Sequence, residues 1–108
     1  MHNIIESHRD QVHQLCRQFG VQSLDVFGSA TGDAFDAQRS DIDFIVDFGP
    51  EAQPDLFNRY FGLNEALATL FGCKVDLVMA GGMVNPHFIA SVNRTRQPVY
   101  SRPIAEAA

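Results

Sequence analysis

The chain has 108 residues and a net charge of −5 with 45% hydrophobic residues, which fits a single domain over residues 1–108 and excludes two independent cores. Nine Phe provide for a real core and exclude disorder, no apolar run approaches the roughly 20 residues of a membrane span, and the polar start "MHNIIESHRDQ" lacks a signal-peptide core. Eight scattered Lys and Arg speak against an extended nucleic acid, which is gripped by neutralising its phosphates, while a small phosphorylated ligand stays open because a bound divalent cation can supply positive charge.

In chain order, residues 3–19 place Ile5, His8, Val12, Leu15, Cys16 and Phe19 at helical spacing, and Gly20 is a stop. "SLDVFG", 23–28, is short and β-prone, and "IDFIVDF", 42–48, is the strongest strand signal before the break at Gly49-Pro50. A second helix opens near Pro54 and carries Leu56, Tyr60, Leu63, Leu67, Leu70 and Phe71 in three- and four-residue steps, with Gly72 just past its end. "KVDLVMA", 74–80, is a further strand. Asn85-Pro86 reads as a cap and first residue of a short helix with Phe88, Ile89 and Val92 inward. "QPVYS", 97–101, suits an edge strand, since Pro98 would spoil a central one. The expectation is an α/β (α+β mixed) fold, a small mixed sheet with helices on one side. Cys16 and Cys73 lack CxxC spacing and read as reduced thiols in a cytoplasmic protein.

Asp41, Asp43 and Asp47 alternate with Ile42, Phe44, Val46 and Phe48. In a strand the acidic side chains therefore share one face and the apolar ones the other. Asp41 and Asp43 start about 7 Å apart at Cα, close enough for both carboxylates to converge on an ion. A solvated sheet face would show the same alternation, so the motif alone does not decide. Three further features favour chemistry. Gly28-Ser29 ends a strand at a turn where backbone N–H groups can approach an anion. Ser40 sets Asp41 at the strand mouth, and Asp76 interrupts the apolar strand Val75–Val78 without an evident structural purpose. Such carboxylates suit Mg²⁺, which takes oxygen ligands from one or two carboxylates plus substrate phosphates. A pair of ions about 3.5–4 Å apart can stabilise attacking and leaving oxygens together.

Other polar residues carry weaker signals. Asp47 reads as solvated surface, Asp25 faces the carboxylate side without spacing that demands a role, and Asp33 and Asp36 read as loop acids. His2, His8, His13 and His87 share no ligand spacing. Ser29 has neither a nucleophile-elbow pattern nor a committed base, so it reads as a phosphate ligand rather than a nucleophile. Phe57, Tyr60, Phe61 and Phe71 are read first as core, with a partner surface as the competing reading.

Gly28-Ser29, then Ser40-Asp41-Ile42-Asp43-Phe44 and later Asp76, resembles the GS…DxD…D signature of the DNA polymerase β type nucleotidyltransferase superfamily, and within it the minimal nucleotidyltransferases. The match runs from about Ile4 to Tyr100. The resemblance implies a palm-like mixed sheet flanked by helices and Mg²⁺-dependent transfer of a nucleoside monophosphate, AMP by preference, from a triphosphate such as ATP to a hydroxyl. By position, Asp41, Asp43 and Asp76 would be catalytic and hold two Mg²⁺ ions, with Asp76 also helping to activate the acceptor hydroxyl. Gly28, Ser29, Ser40 and Arg39 would serve the triphosphate. It also implies an antitoxin-like partner of a helical HEPN protein, with a tyrosine of that partner as a possible acceptor. One departure stands out: many relatives carry an Arg before the second glycine of the turn, where this chain has Thr31 in "GSATG". Arg39, Lys74, Arg94 or Arg96 would have to replace it. The competing expectation is a module of the same fold that neutralises a helical partner by contact, without turnover. A nucleotide-sugar glycosyltransferase using DxD is disfavoured by length.

Overall fold

The computed structural model describes residues 3–32, 41–49 and 55–102. The helical pattern of residues 3–19 divides into α1, Asn3–Ser7, and α2, Arg9–Gln18. The break falls at His8, whose N–H donates to the Ile5 carbonyl at 3.2 Å while its Nδ1 lies 2.9 Å from the Ile4 carbonyl. Ile5, Val12 and Cys16 still share the buried side. β1, Ser23–Phe27, leads through a single 3-10 turn, Gly28–Thr31, toward β2, Ile42–Asp47. α3, Leu56–Phe71, ends where Gly72 takes the left-handed conformation (φ 68°) and donates its N–H to Ala68. Pro54 lies outside the described residues. β3, Val75–Met79, is followed by α4, Pro86–Thr95, and β4, Gln97–Ser101. Asn85 caps α4 as its sequence suggests, its Oδ1 accepting from His87 and Phe88 N–H at 2.9 and 3.3 Å.

The sheet runs β3-β2-β1-β4, antiparallel except for the parallel β2–β3 pair. That pair requires a crossover, which α3 provides. β4 is an edge strand, and Pro98 sits opposite Asp25 beside a bulge at Leu24/Asp25, where a missing N–H is tolerated.

Leu24, Val26, Ile42, Phe44, Val46, Val75 and Leu77 point to one face and pack against Ile5, Val12 and Cys16 of α1–α2 and Leu63, Leu67 and Phe71 of α3. The expectation of helices on one side alone is corrected by α4. Val92 packs with Phe27 and Ile45 on the opposite face, joined by Val78, Ala80 and Met83. Odd-numbered Phe27 and Ile45 share the aspartate side, so α4 roofs part of that face. Phe88, expected inward, is 40% exposed and stands edge-on to Phe27 at 6.1 Å. Cys16 and Cys73 are free thiols, Cys16 with its pKa pushed up to about 12 by burial. Among the described residues no helix is long and apolar enough to cross a membrane.

Candidate active site

Two register relations assemble the site. In the antiparallel β1–β2 pair Asp43 lies opposite Phe27, the residue before Gly28. In the parallel β2–β3 pair Asp43 lies opposite Asp76. Asp43 thus stands in the middle strand, with the Gly28 turn on one side and a second carboxylate on the other.

Gly28 is required at its position on two grounds. Its φ is +76°, which side-chain-bearing residues rarely adopt, and a Cβ there would come 2.7 Å from Asp43 Oδ2. The turn it opens is closed by Thr31, whose hydroxyl donates to the Gly28 carbonyl at 2.7 Å. The Gly28 N–H donates to Thr95 Oγ1 of α4 at 2.9 Å. Thr95 therefore joins the turn to the roof helix, a role that spacing in the sequence does not signal. Ser29 sits in the same turn, half-buried.

The pKa of Asp43 is raised from 3.8 to about 6, first by burial, then by the charges of Asp76 and Asp41 and a hydrogen bond with Asp76. Crowded carboxylates resist ionising together, and a cation among them removes that resistance. Asp41, just ahead of β2, lies with Oδ2 3.7 Å from Lys74 Nζ, and Asp76 Oδ1 lies 4.0 Å from the same ammonium. Asp43 and Asp76 also line a cavity of about 430 Å³ with Phe27, Tyr60, Asn64 and Phe88 among its walls. The Tyr60 hydroxyl donates to the Leu77 carbonyl and holds the α3 wall against β3.

Asp41, Asp43, Asp76 and Gly28 are therefore brought to one end of the sheet. Ser40 and Arg39 lie outside the described residues, as do Asp33 and Asp36. Asp47 is at the other end of β2, where its Oδ1 accepts the Gly49 N–H at 2.8 Å. Asp25 lies on the carboxylate face, but its carboxylate is paired with Arg96. Of the cations that could stand in for a turn arginine, Arg96 is thus engaged, Arg94 is exposed in the last turn of α4, and Lys74 reaches the carboxylates.

Among the described residues no three His, Cys, Asp or Glu side chains form a ready metal shell. The donors present are nevertheless all oxygens, on a face where a glycine leaves room beside Asp43. That set fits a hard divalent cation whose coordination is completed by phosphate and water rather than by protein alone.

A family model described as nucleotidyltransferase domain matches residues 8–102. The protein adenylyltransferase MntA of Thermococcus cleftensis is 37% identical over 82 residues, covering 75% of each chain. A solved structure provisionally described as a minimal nucleotidyltransferase shares 30% identity with a TM-score of 0.71, over 91% of this chain and 96% of the other. The MNT antitoxin solved in complex with the tri-AMPylated HEPN toxin of Shewanella oneidensis has the same fold, with a TM-score of 0.63 at 17% identity over 95% of this chain and 77% of its counterpart.

Proposed function

The chain belongs to the nucleotidyltransferase domain family, and we propose that it transfers a nucleoside monophosphate, AMP by preference, from a triphosphate to a hydroxyl on a protein partner. The observation that carries the reading is Asp43 held opposite Asp76 with Gly28 beside its carboxylate. In this reading Asp41, Asp43 and Asp76 would hold the cation, while Gly28 and Ser29 of the turn would face the triphosphate. Bound Mg²⁺ would supply charge neutralisation on the triphosphate and stabilise the attacking and leaving oxygens. In this reading Asp76, half exposed on edge strand β3, accepts the proton of the incoming hydroxyl. The new bond joins that oxygen to the α-phosphorus, the α–β bridging bond breaks, and pyrophosphate leaves.

The preference for AMP and for a protein acceptor is supported by the adenylyltransferase relative. The partner we propose is a helical HEPN protein, with a tyrosine as acceptor, in line with the antitoxin complex of the same fold. A contact-only antitoxin is the second reading. It is favoured by the turn itself, where Thr31 spends its hydroxyl on Gly28 and brings no cation to phosphate.

The test uses α-phosphate-labelled ATP, GTP, CTP and UTP with Mg²⁺, the purified chain and the HEPN protein encoded nearest to it. Label on the partner, strongest with ATP and lost in the Asp41→Ala/Asp43→Ala double variant, is the expected result. A stable complex that takes no label with any nucleotide would overturn transfer and favour neutralisation by contact.

A further inference from the structure

Lys74 occupies an unusual place for a lone surface lysine. Its backbone carbonyl accepts the Ile42 N–H at 3.1 Å, which anchors it beside the mouth of β2. Its ammonium lies 3.7 Å from Asp41 Oδ2 and 4.0 Å from Asp76 Oδ1, bridging the carboxylate at the mouth of β2 and one on β3. The side chain is 71% exposed, so its flexible stem can redirect the charge without disturbing the core.

We propose that Lys74 is the resident counter-ion of the carboxylate site and couples cation binding to triphosphate binding; this rests on the nucleotidyl-transfer reading above. Two consequences of one charge support it. An ammonium drawing on Asp41 and Asp76 competes with a divalent cation for the same oxygens and repels it, so Lys74 weakens capture of a bare cation. A triphosphate arriving with the cation offers the ammonium new oxygens, and Lys74 then acts on the phosphate side, where the Gly28–Thr31 turn has no basic residue. Lys74 thus opposes the cation alone and favours the cation–nucleotide pair. Linkage requires that each ligand then strengthen the other's binding by the same factor.

The experiment is a Mn²⁺ titration read by the electron paramagnetic resonance signal of the free ion. It uses the whole chain, with and without a non-hydrolysable ATP analogue, as parent, Lys74→Met, Lys74→Arg and Asp43→Asn, each corrected by a protein-free titration for the Mn²⁺ that the analogue itself holds. Lys74→Met is expected to bind Mn²⁺ alone about three- to fivefold more tightly, the scale of exposed ion pairs, and to show an enhancement by the analogue reduced by at least that factor, the part given by direct phosphate ligation being kept. Lys74→Arg keeps the parent's coupling. If Asp43→Asn loses Mn²⁺ while Lys74→Met titrates like the parent in both conditions, the nucleotide site stands and the role of Lys74 is refuted. If the parent binds no Mn²⁺ even with the analogue, the nucleotidyl-transfer reading falls and takes this proposal with it.

Discussion

Phe44 and Asp43 are neighbours in β2, yet they look out on two different environments. Phe44 is fully buried among residues from the sheet and the α1–α3 layer. Asp43 is half-buried, with α4 covering part of its face and other carboxylates beside it. One face gains stability by excluding water from apolar surface. The other places like charges close together, at a cost to folding, on a rigid strand whose opposite side is sealed. The lesson is that the core face supplies the rigidity that lets the carboxylate face remain strained by its own charge.

The comparison predicts opposite signs for substitutions at adjacent positions. Phe44→Ala should give the largest effect, a loss of about 3–5 kcal/mol from removed burial and the cavity left behind. Denaturant unfolding would show it, and a loss under 1 kcal/mol would mean that the α1–α3 layer is not the main core.

Gly28→Ala comes next, at about 1–3 kcal/mol, because left-handed backbone strain is joined by a Cβ lying 2.7 Å from Asp43 Oδ2. Gly72→Ala is its control, since Gly72 has φ +68° but nothing within 4 Å of the added Cβ. The Gly28 variant should be the less stable of the two and should alone lose Mn²⁺–nucleotide binding. Equal losses in stability and intact binding would show that the close approach to Asp43 is unimportant.

Asp43→Asn should produce the smallest change and the opposite sign. With its pKa raised to about 6 from 3.8, folded Asp43 holds its proton more tightly than unfolded Asp43. The associated stabilisation is complete below about pH 4 and is lost as pH rises through about 6, above which the ionised carboxylate opposes folding. The amide removes that opposition. After allowance for solvent screening of a half-buried group, we expect a gain on the order of 1 kcal/mol at pH 8, seen as about 4–8 °C in Tm, and little gain at pH 4. A variant less stable than the parent at pH 8 would contradict this.

The same contrast explains what could be read from the sequence. The alternation of Asp41, Asp43 and Asp47 with Ile42, Phe44 and Val46 reports side-chain direction because strand geometry is local. Asn85 and Gly72 are legible for the same reason, since a cap depends on the next few residues. The resemblance carried by Gly28-Ser29, the DxD and Asp76 likewise pointed to the family that the comparisons show. What could not be read depends on register between distant strands. That Asp76 faces Asp43 is set by the α3 crossover, and that Phe27 faces Asp43 is set across the Gly28 loop. Asp25 reads only as a first-strand acid on the side of the cleft, because its Arg96 partner is 71 residues away. The roof formed by α4 is not legible, because Val92 and Ile89 make an apolar stripe without saying which face of the sheet it covers.

The most direct measurement is anomalous diffraction from crystals of the chain grown with Mn²⁺ and a non-hydrolysable ATP analogue. Mn²⁺ peaks are expected within coordination distance of Asp43 and Asp76, with the triphosphate lying along Gly28 and Ser29. Mn²⁺ and nucleotide bound away from these carboxylates, for instance in the groove lined by Arg17 and Arg102 at the α2–β4 side, would contradict it.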